Sequence, residues 1–273
     1  MPFYLDNLVS ELRGNDGPGY VLFPSFAKPE VGENMLADVV NIARRAARGE
    51  AIDGALVAPE NQPDFAGENP EDLVSKIFRL HRRSAFLSFL QTDAVCAILT
   101  EAIGPDVDCF LSQFIFKNPG AWGQPWHQDA FYFPFEPARP IVGLWLAVTE
   151  ATLQNGCLHV LPGSQNEPVH EHVPDARPGA NYGYVEIVDH NMSQSEPCLL
   201  QPGDLLVFDS HLMHRSTDNE SSGIRAAMVW HCAQAGTFDP GRIDKDGQRQ
   251  PSLVNDWMPL LRAGKPVSQE TAA

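Results

Sequence analysis

The sequence predicts a mainly β fold with flanking helices, in which a double-stranded β-helix (a cupin-like jelly roll) is supported by N-terminal helices. Two observations lead to this prediction. Apolar residues recur at helical spacing in the first hundred residues, whereas β-rich runs separated by turn sequences dominate from Val107 onward. Many short strands with long connections are typical of double-sheet jelly rolls.

The first part of the chain, residues 1–105, is predicted to be mainly helical. A short strand is expected over residues 19–24, where apolar residues precede a proline. An amphipathic helix is predicted from about residue 29 to residue 48, because its apolar residues fall on one side. Residues 50–70 are rich in Pro, Gly, Asn and Asp, which is typical of a surface loop.

Two more helices are predicted before the β-rich region. Asn69 is a suitable N-cap and Pro70 a suitable first residue for one of them, and the other is expected over residues 84–103. The basic residues that recur at helical spacing and would share one face are Lys76, Arg79 and Arg83. For Arg79 and Arg83 we favour a solvated basic stripe, with an anionic substrate handle as the alternative.

Six β-rich runs define the predicted jelly-roll core, which spans residues 106–235. They cover residues 107–117, 141–149, 157–161, 184–188, 205–208 and 225–232. Residues 236–273 contain several prolines and are expected to form an irregular C-terminal extension. Because the sequence has no repeat or linker, residues 1–273 are predicted to form a single domain.

Composition limits the possible function classes. The formal net charge of −16 disfavours a nucleic-acid partner, because phosphates would be repelled. The sequence has no run of 18 apolar residues and no signal-peptide pattern at the N-terminus, so neither a membrane span nor secretion is expected. Five widely spaced cysteines without a CxxC pair indicate reduced core residues in a cytoplasmic protein.

The candidate chemistry begins in the segment 125–129, Pro-Trp-His-Gln-Asp. On an extended segment His127 and Asp129 point to the same side, so an imidazole nitrogen and a carboxylate oxygen can reach one metal ion. A third ligand would complete the two-histidine, one-carboxylate triad that leaves three adjacent positions open on Fe(II). The pattern therefore predicts a mononuclear iron site.

Two histidines compete for the third position, His211 and His214, because both follow the strand predicted over residues 205–208. His214 and Arg225 are equally far from the centre of the polar turn between them. An antiparallel hairpin would therefore place them opposite each other on one face. His211 has no such partner, so His214 is favoured. The histidines with simpler structural interpretations are His81, His159, His170, His172, His190 and His231.

A buried Arg225 beside a metal-bound histidine would need an anionic partner. Its planar guanidinium suits a carboxylate, which it can bind through two hydrogen bonds. If the protein does not supply that carboxylate, a dicarboxylate cosubstrate can chelate the metal with one end and reach Arg225 with the other.

Four segments of the sequence resemble segments of a known family. They are Pro-Trp-His-Gln-Asp-Ala-Phe-Tyr-Phe-Pro (125–134), Asn-Gly-Cys-Leu-His-Val-Leu-Pro-Gly-Ser (155–164), Gly-Asp-Leu-Leu-Val-Phe (203–208) and His-Arg-Ser-Thr-Asp-Asn…Arg (214–225). In order and spacing they resemble the phytanoyl-CoA dioxygenase (PhyH-like) family of Fe(II)/2-oxoglutarate-dependent oxygenases. The resemblance implies Fe(II), 2-oxoglutarate and O2. It also implies His127, Asp129 and His214 as iron ligands, with Arg225 at the distal carboxylate of 2-oxoglutarate.

By position, the resemblance places four more residues around the cosubstrate: Lys76, Gln113, Trp145 and Ser216. For Trp145 a plain core position is an equally good interpretation. Gln113 would be a lone inward polar residue on a strand, where a ligand is the favoured partner. The chain departs from the family at Gln165, where the family often has a histidine that does not bind metal.

The predicted reaction is hydroxylation of an unactivated C–H bond in a small-molecule or acyl substrate, with release of succinate and CO2. Two alternatives are a cupin-like metalloprotein that does not use 2-oxoglutarate (an isomerase or hydrolase) and a non-catalytic sensor. Arg225 disfavours the first, and the complete ligand set disfavours the second. Substrate specificity is expected to lie in the loops at 50–70, 130–140 and 165–182.

Overall fold

The computed structural model describes residues 5–181, 183–243, 250 and 252–268. Within these residues the helices are α1 (Leu8–Arg13), α2 (Pro29–Ala47), α3 (Ser84–Leu90) and α4 (Asp93–Ala102). The strands interspersed with them are β1 (Tyr20–Phe23), β2 (Leu56–Pro59) and β3 (Val74–Phe78).

The strands that follow are β4 (Val107–Lys117), β5 (Ile141–Ala147), β6 (Leu158–Val160), β7 (Val173–Pro174), β8 (Val185–Glu186), β9 (Glu196–Cys198), β10 (Leu205–Asp209), β11 (His214–Ser216), β12 (Arg225–Gln234), β13 (Met258–Arg262) and β14 (Lys265–Pro266). Short 3-10 turns cover Pro70–Leu73, Asp129–Tyr132, Ser164–Asn166 and Pro240–Arg242.

Two main antiparallel sheets form the predicted jelly roll, and the mainly β class is confirmed. The larger sheet has the order β1-β10-β5-β12-β4-β13-β14, with β3 paired to β4 and β2 paired to β3. The smaller sheet has the order β11-β6-β9. A backbone bridge between His127 and His214 adds one more segment to the smaller sheet, beside β11.

Alternation along β12 divides the interior into two cores. Met228 and Trp230 belong to a large cluster that includes the buried faces of α2, α3 and α4. Ala227 and Val229 point the other way, into a cluster that joins the two sheets. The helices therefore cover the outer face of the larger sheet and leave its inner face to line the space between the sheets.

The prediction of a helix that starts at Asn69 is wrong beyond the first turn. The Asp72 carboxylate accepts hydrogen bonds from the Asn69 backbone at 2.9 Å and from the Asn69 amide at 3.1 Å, as a helix start requires. The turn nevertheless ends at Leu73, and β3 pairs with β2 and β4. Pairing with β4 buries Ile77 completely, so tertiary contacts override the local helical signal.

Because a strand replaces this helix, the prediction that three basic residues share one helix face is also wrong. Lys76 lies on β3, while Arg79 has a positive φ of 63° and donates to the Ser252 carbonyl at 2.7 Å. Arg83 precedes α3 and binds the Asp38 carboxylate of α2 through two hydrogen bonds of 3.0 and 3.1 Å. Arg79 and Arg83 therefore have structural partners and do not form a solvated stripe.

The helix predicted over residues 84–103 is divided into α3 and α4. Thr92 adopts an extended conformation between them, and its hydroxyl accepts a hydrogen bond from the Val95 N–H at 3.4 Å. Threonine favours this N-cap role, so the second helix starts afresh at Asp93.

The prediction of an irregular C-terminal extension over residues 236–273 is wrong for β13 and β14. Residues 244–249, 251 and 269–273 of that range lie outside the described residues. β13 pairs with β4 through Met258 and Cys109, and β14 turns back onto β13. Met258 and Leu261 are fully buried in the core on the helical side. Pro259 and Pro266 obscured these strands in the sequence, but proline is tolerated near a sheet edge, where a backbone N–H is not needed.

The five cysteines are all buried and free, as predicted for reduced core residues. Among the described residues, no helix alone has the length and apolar composition needed to cross a membrane. The pair α3 and α4, bent by 59°, meets that criterion only when taken together.

Trp230 connects the larger sheet to the helical layer, and this contact generates a stability prediction. Its ring is fully buried and stacks on Phe89 of α3, with centroids 5.0 Å apart and planes at 15°. We expect Trp230→Ala to lower the free energy of unfolding by about 3–5 kcal/mol, measured by urea denaturation. Leu153→Ala, at a residue with 60% exposure, is the control and should change it by less than about 0.5 kcal/mol. Equal effects of the two substitutions would contradict this role of Trp230.

Candidate active site

The backbone brings the two predicted histidine ligands together directly. His127 and His214 exchange two N–H to C=O hydrogen bonds, each of 2.9 Å. Oδ1 of Asp129 lies 3.6 Å from Nε2 of His127 and 3.8 Å from Nε2 of His214. All three residues are buried, and their potential ligand atoms lie within 4.8 Å of one another.

Both imidazoles are oriented by backbone carbonyl groups. Nδ1 of His127 lies 2.8 Å from the Pro125 oxygen, and Nδ1 of His214 lies 3.0 Å from the Leu212 oxygen. Because a carbonyl oxygen only accepts, each Nδ1 carries the proton and each Nε2 offers a lone pair. Burial and the neighbouring His127 lower the pKa of His214 to about 4, so this ring is neutral at neutral pH, as a metal ligand must be.

His231 binds the second oxygen of Asp129, a role that was not predicted from the sequence. Its Nε2 lies 2.7 Å from Asp129 Oδ2, inside a pocket walled by Phe110 and Phe133. Burial alone would raise the pKa of Asp129. The adjacent His231, whose Nε2 is within hydrogen-bonding distance of Oδ2, and the nearby His214 and His127 rings lower it well below its usual range. Asp129 is therefore a carboxylate whose Oδ1 is directed at the two Nε2 atoms.

His211, the alternative third ligand, has other partners. Its Nδ1 lies 3.2 Å from Nε of Arg139 and 3.5 Å from Oδ1 of Asp209. The structure thus brings His214 to the predicted triad and directs His211 to a separate polar contact.

His214 and Arg225 are not the hairpin partners predicted from their spacing. β11 pairs with β6 in the smaller sheet, whereas β12 pairs with β4 and β5 in the larger one. The chain crosses from one sheet to the other between these strands, so the turn is not a hairpin turn. Arg225 still points inward, because it alternates in step with Ala227 and Val229.

Arg225 is a buried cation for which the described residues supply no carboxylate. It is 1% exposed and its Nε donates to the Gly156 carbonyl at 3.2 Å. Its Nη1 has no hydrogen-bond partner within the part of the chain that the structure describes. Burial lowers its pKa to about 10, so it stays protonated at neutral pH. The guanidinium lies 5.7 Å from the ring centre of Trp145, whose buried Nε1 also has no partner. Two open donors at this point suit the carboxylate of a ligand.

Lys117 is a second buried basic residue, and it lies beside Arg225. Its place in the site was not predicted from the sequence. Lys117 is the register partner of Arg225, and its Nζ donates to Ser216 Oγ at 2.8 Å and to the Thr217 carbonyl. Burial and the adjacent Arg225 lower the pKa of Lys117 well below its usual range. The sequence did contain a signal for this position. Gln113 and Lys117 are four residues apart on the same strand, so their side chains point to the same face of the sheet.

Lys76 and Gln113 also lie on the inner side of the larger sheet. Nζ of Lys76 lies 4.9 Å over the ring of Tyr184 and donates to Gln124 Oε1 at 3.1 Å. Nε2 of Gln124 in turn lies 3.0 Å from Nε2 of His127. One side chain therefore connects Lys76 to the triad.

The donor set fits a mononuclear iron site with a chelating cosubstrate. Two imidazoles and one carboxylate form the facial triad that is typical of non-haem Fe(II) oxygenases, and this triad leaves three positions for other ligands. The open donors of Arg225 and Trp145 provide a place for the remote carboxylate of such a cosubstrate.

Comparison with known proteins agrees with this geometry. The family model of phytanoyl-CoA dioxygenase (PhyH) matches residues 16–227. The chain belongs to this family. The matched range contains the whole triad and Arg225, and membership confirms both the predicted family and the predicted dioxygenase class.

Relatives in the family differ from this chain in length. Peroxisomal phytanoyl-CoA dioxygenase of Bos taurus is 29% identical over 198 residues, which cover 70% of this chain and 58% of the bovine protein. The Mus musculus protein is 26% identical over 267 residues, covering 93% of this chain and 76% of the mouse protein. The crystal structure of the epimerase SnoN in complex with Fe3+, alpha ketoglutarate and nogalamycin RO has a TM-score of 0.67. It is 17% identical and covers 99% of this chain and 98% of SnoN, a likeness of fold.

The hydrogen bond from His231 generates a prediction about metal affinity. In His231→Ala the second oxygen of Asp129 loses its donor, so we expect metal binding to weaken by roughly 10- to 100-fold, measured by Co(II) titration of the metal-free chain. His231→Gln is the matched variant, because its amide can donate to the same oxygen, and it should recover most of the affinity. Unchanged affinity in His231→Ala would show that the ring only fills space.

Proposed function

We propose that this protein hydroxylates an unactivated C–H bond of a small-molecule or acyl substrate, using Fe(II), 2-oxoglutarate and O2 and releasing succinate and CO2. The observation that carries the proposal is the buried Arg225, which finds no carboxylate among the described residues. 2-Oxoglutarate is a dicarboxylate, so it can chelate iron with one end and offer its other carboxylate to Arg225.

In this proposal the side chains bind and orient the reactants. His127, Asp129 and His214 hold the iron, which when bound supplies the oxidative chemistry. His231 keeps the Asp129 carboxylate oriented and ionised, while Arg225 and Trp145 donate to the distal carboxylate of 2-oxoglutarate. Burial of all these groups keeps water away from the reacting atoms.

The two alternative functions have less support. In a metalloprotein that does not use 2-oxoglutarate, Arg225 would remain a buried charge without a counterion, at a cost on the order of several kcal/mol. A sensor would need the same ligand set, but the family to which the chain belongs is one of dioxygenases.

Contacts among three loops support a proposal about where the substrate enters. The segment at 50–70, predicted as a loop, contains strand β2. The Asn61 N–H, just after β2, donates to Asn181 Oδ1 at 3.0 Å, which joins this segment to the loop at 165–182. The ring of Phe131 stacks on His172 with centroids 4.3 Å apart, which joins the loop at 130–140 to the same loop. We propose that these loops form the mouth of the site and determine which substrate is accepted.

Removal of the carboxylate ligand should abolish the reaction. In Asp129→Gly the metal loses one of its three protein ligands, so we expect no substrate-dependent succinate release in a screen of candidate small molecules. Asp16→Gly, at an exposed position far along the chain from the site, should retain the wild-type rate. Wild-type turnover in Asp129→Gly would refute the assignment of the triad.

Arg225 should control the affinity for 2-oxoglutarate and leave iron affinity unchanged. Breaking a buried charge pair costs about 3–5 kcal/mol, so Arg225→Gln should weaken 2-oxoglutarate binding by at least about 100-fold. The measurement is anaerobic titration of the Fe(II)-loaded chain with 2-oxoglutarate, followed by its visible charge-transfer band. Arg215→Gln is the control, because Arg215 lies on β11 with its guanidinium 5.2 Å over Trp126. The same loss in both variants would argue against a specific role for Arg225.

A further inference from the structure

A second group of potential metal ligands lies on the long connection between β6 and β9. Oε2 of Glu167 lies 2.8 Å from Nε2 of His170 and 3.0 Å from Nε2 of His190. The potential ligand atoms of the three residues lie within 4.8 Å of one another. Their side chains are 38%, 20% and 20% exposed in that order, so a metal ion can reach them from solvent.

The chemistry of this group suits zinc. Both imidazoles direct the same ring nitrogen at one carboxylate oxygen. Histidine nitrogen and carboxylate oxygen bind Zn2+ at about 2.0–2.2 Å, so ligand atoms around one tetrahedral ion lie about 3.3–3.6 Å apart. Glu167 lies 2.8 Å from His170 and 3.0 Å from His190, so an increase of about half an ångström in each distance would admit the ion. Zinc also binds nitrogen and oxygen ligands more tightly than Fe(II) does.

The surroundings of His170 provide a second observation. Its outer nitrogen, Nδ1, lies 3.9 Å from Oδ1 of Asp189. This distance is too long for a hydrogen bond, but the Asp189 side chain is 62% exposed and a small rotation would bring its carboxylate to the outer nitrogen. A hydrogen bond there would orient a metal-binding imidazole and make it more basic. The rings of His170 and His190 are perpendicular, with centroids 5.1 Å apart, so their Nε2 atoms converge without the rings stacking.

The group is joined to the triad through Gln128, which lies between His127 and Asp129. Oε1 of Gln128 accepts a hydrogen bond from the His170 N–H at 2.9 Å, and its Nε2 donates to the Pro168 carbonyl at 3.2 Å. The chain segment that carries the group is therefore one side chain away from the iron ligands.

We propose that Glu167, His170 and His190 form a second metal site, which binds Zn2+ and ties together the two ends of the segment that contains β7 and β8. Glu167 and His170 precede β7 and His190 follows β8, so one ion closes this segment at its base. Three protein ligands leave the remaining coordination to water. The site has no part in the proposed oxidation; it holds the segment against Gln128.

Metal stoichiometry of the full chain tests this proposal. The chain is freed of metal with a chelator, dialysed against micromolar Zn2+ and analysed for bound metal. We expect two equivalents in the wild type, because the triad also takes up zinc in the absence of iron. Glu167→Gln and His190→Ala should each retain one equivalent. His127→Ala should also retain one, and His127→Ala combined with His190→Ala should retain none.

Matched variants and a second measurement separate metal binding from a structural effect. Glu171→Gln removes an exposed carboxylate from the same segment and should keep two equivalents. Zn2+ should raise the melting temperature of His127→Ala and leave that of the double variant unchanged, since only a bound ligand stabilises the folded state. Two equivalents in His190→Ala, or one equivalent in the wild type that His190→Ala retains, would overturn the second site and leave the proposed oxygenase reaction intact.

Discussion

The pair of backbone hydrogen bonds between His127 and His214 is the interaction on which the site depends. It adds the segment that carries His127 and Asp129 to the edge of the smaller sheet, where His214, the third residue of the triad, already lies. A β pairing permits only discrete registers, and a shift by one residue would turn one imidazole to the opposite face. The geometry of the triad is therefore set by sheet formation before any metal binds.

The larger sheet also positions residues of the site, because successive side chains along its strands point to opposite faces. On β12, the residues in step with Trp230 hold the helical layer, while those in step with Arg225 line the interior. The same ladder places Lys117 opposite Arg225, and the neighbouring guanidinium helps to lower the pKa of that lysine. A carboxylate bound between them would relieve this repulsion and satisfy the open donor of Arg225. The unfavourable charge arrangement is thus a property of the protein that a bound dicarboxylate would relieve.

The three residues of the triad could be predicted from the sequence, because they lie in short segments whose residue types and spacing resemble those of the family. Arg225 was identified from an incorrect hairpin, since spacing along the chain does not reveal that β11 and β12 belong to different sheets. The contact from His231 to Asp129 depends on how β12 lies against the 3-10 turn at Asp129–Tyr132, which no local pattern encodes. Lys76 was assigned to a helix because the capping signal at Asn69 is genuine; only the pairing of β3 with β4 ends that helix.

Gln128 explains how changes in the loops and the geometry of the triad are coupled. Its side chain is fully buried, and besides the contacts to His170 and Pro168 its amide donates to the His211 carbonyl at 2.9 Å. Both ends of the amide are therefore occupied, so the side chain cannot rotate without losing buried hydrogen bonds. Because the neighbours of Gln128 in the chain are His127 and Asp129, displacement of the segment at 165–190 would act directly on two of the proposed metal ligands. Substitutions of side chains in this segment should therefore leave the triad undisturbed as long as the backbone groups that hold Gln128 stay in place.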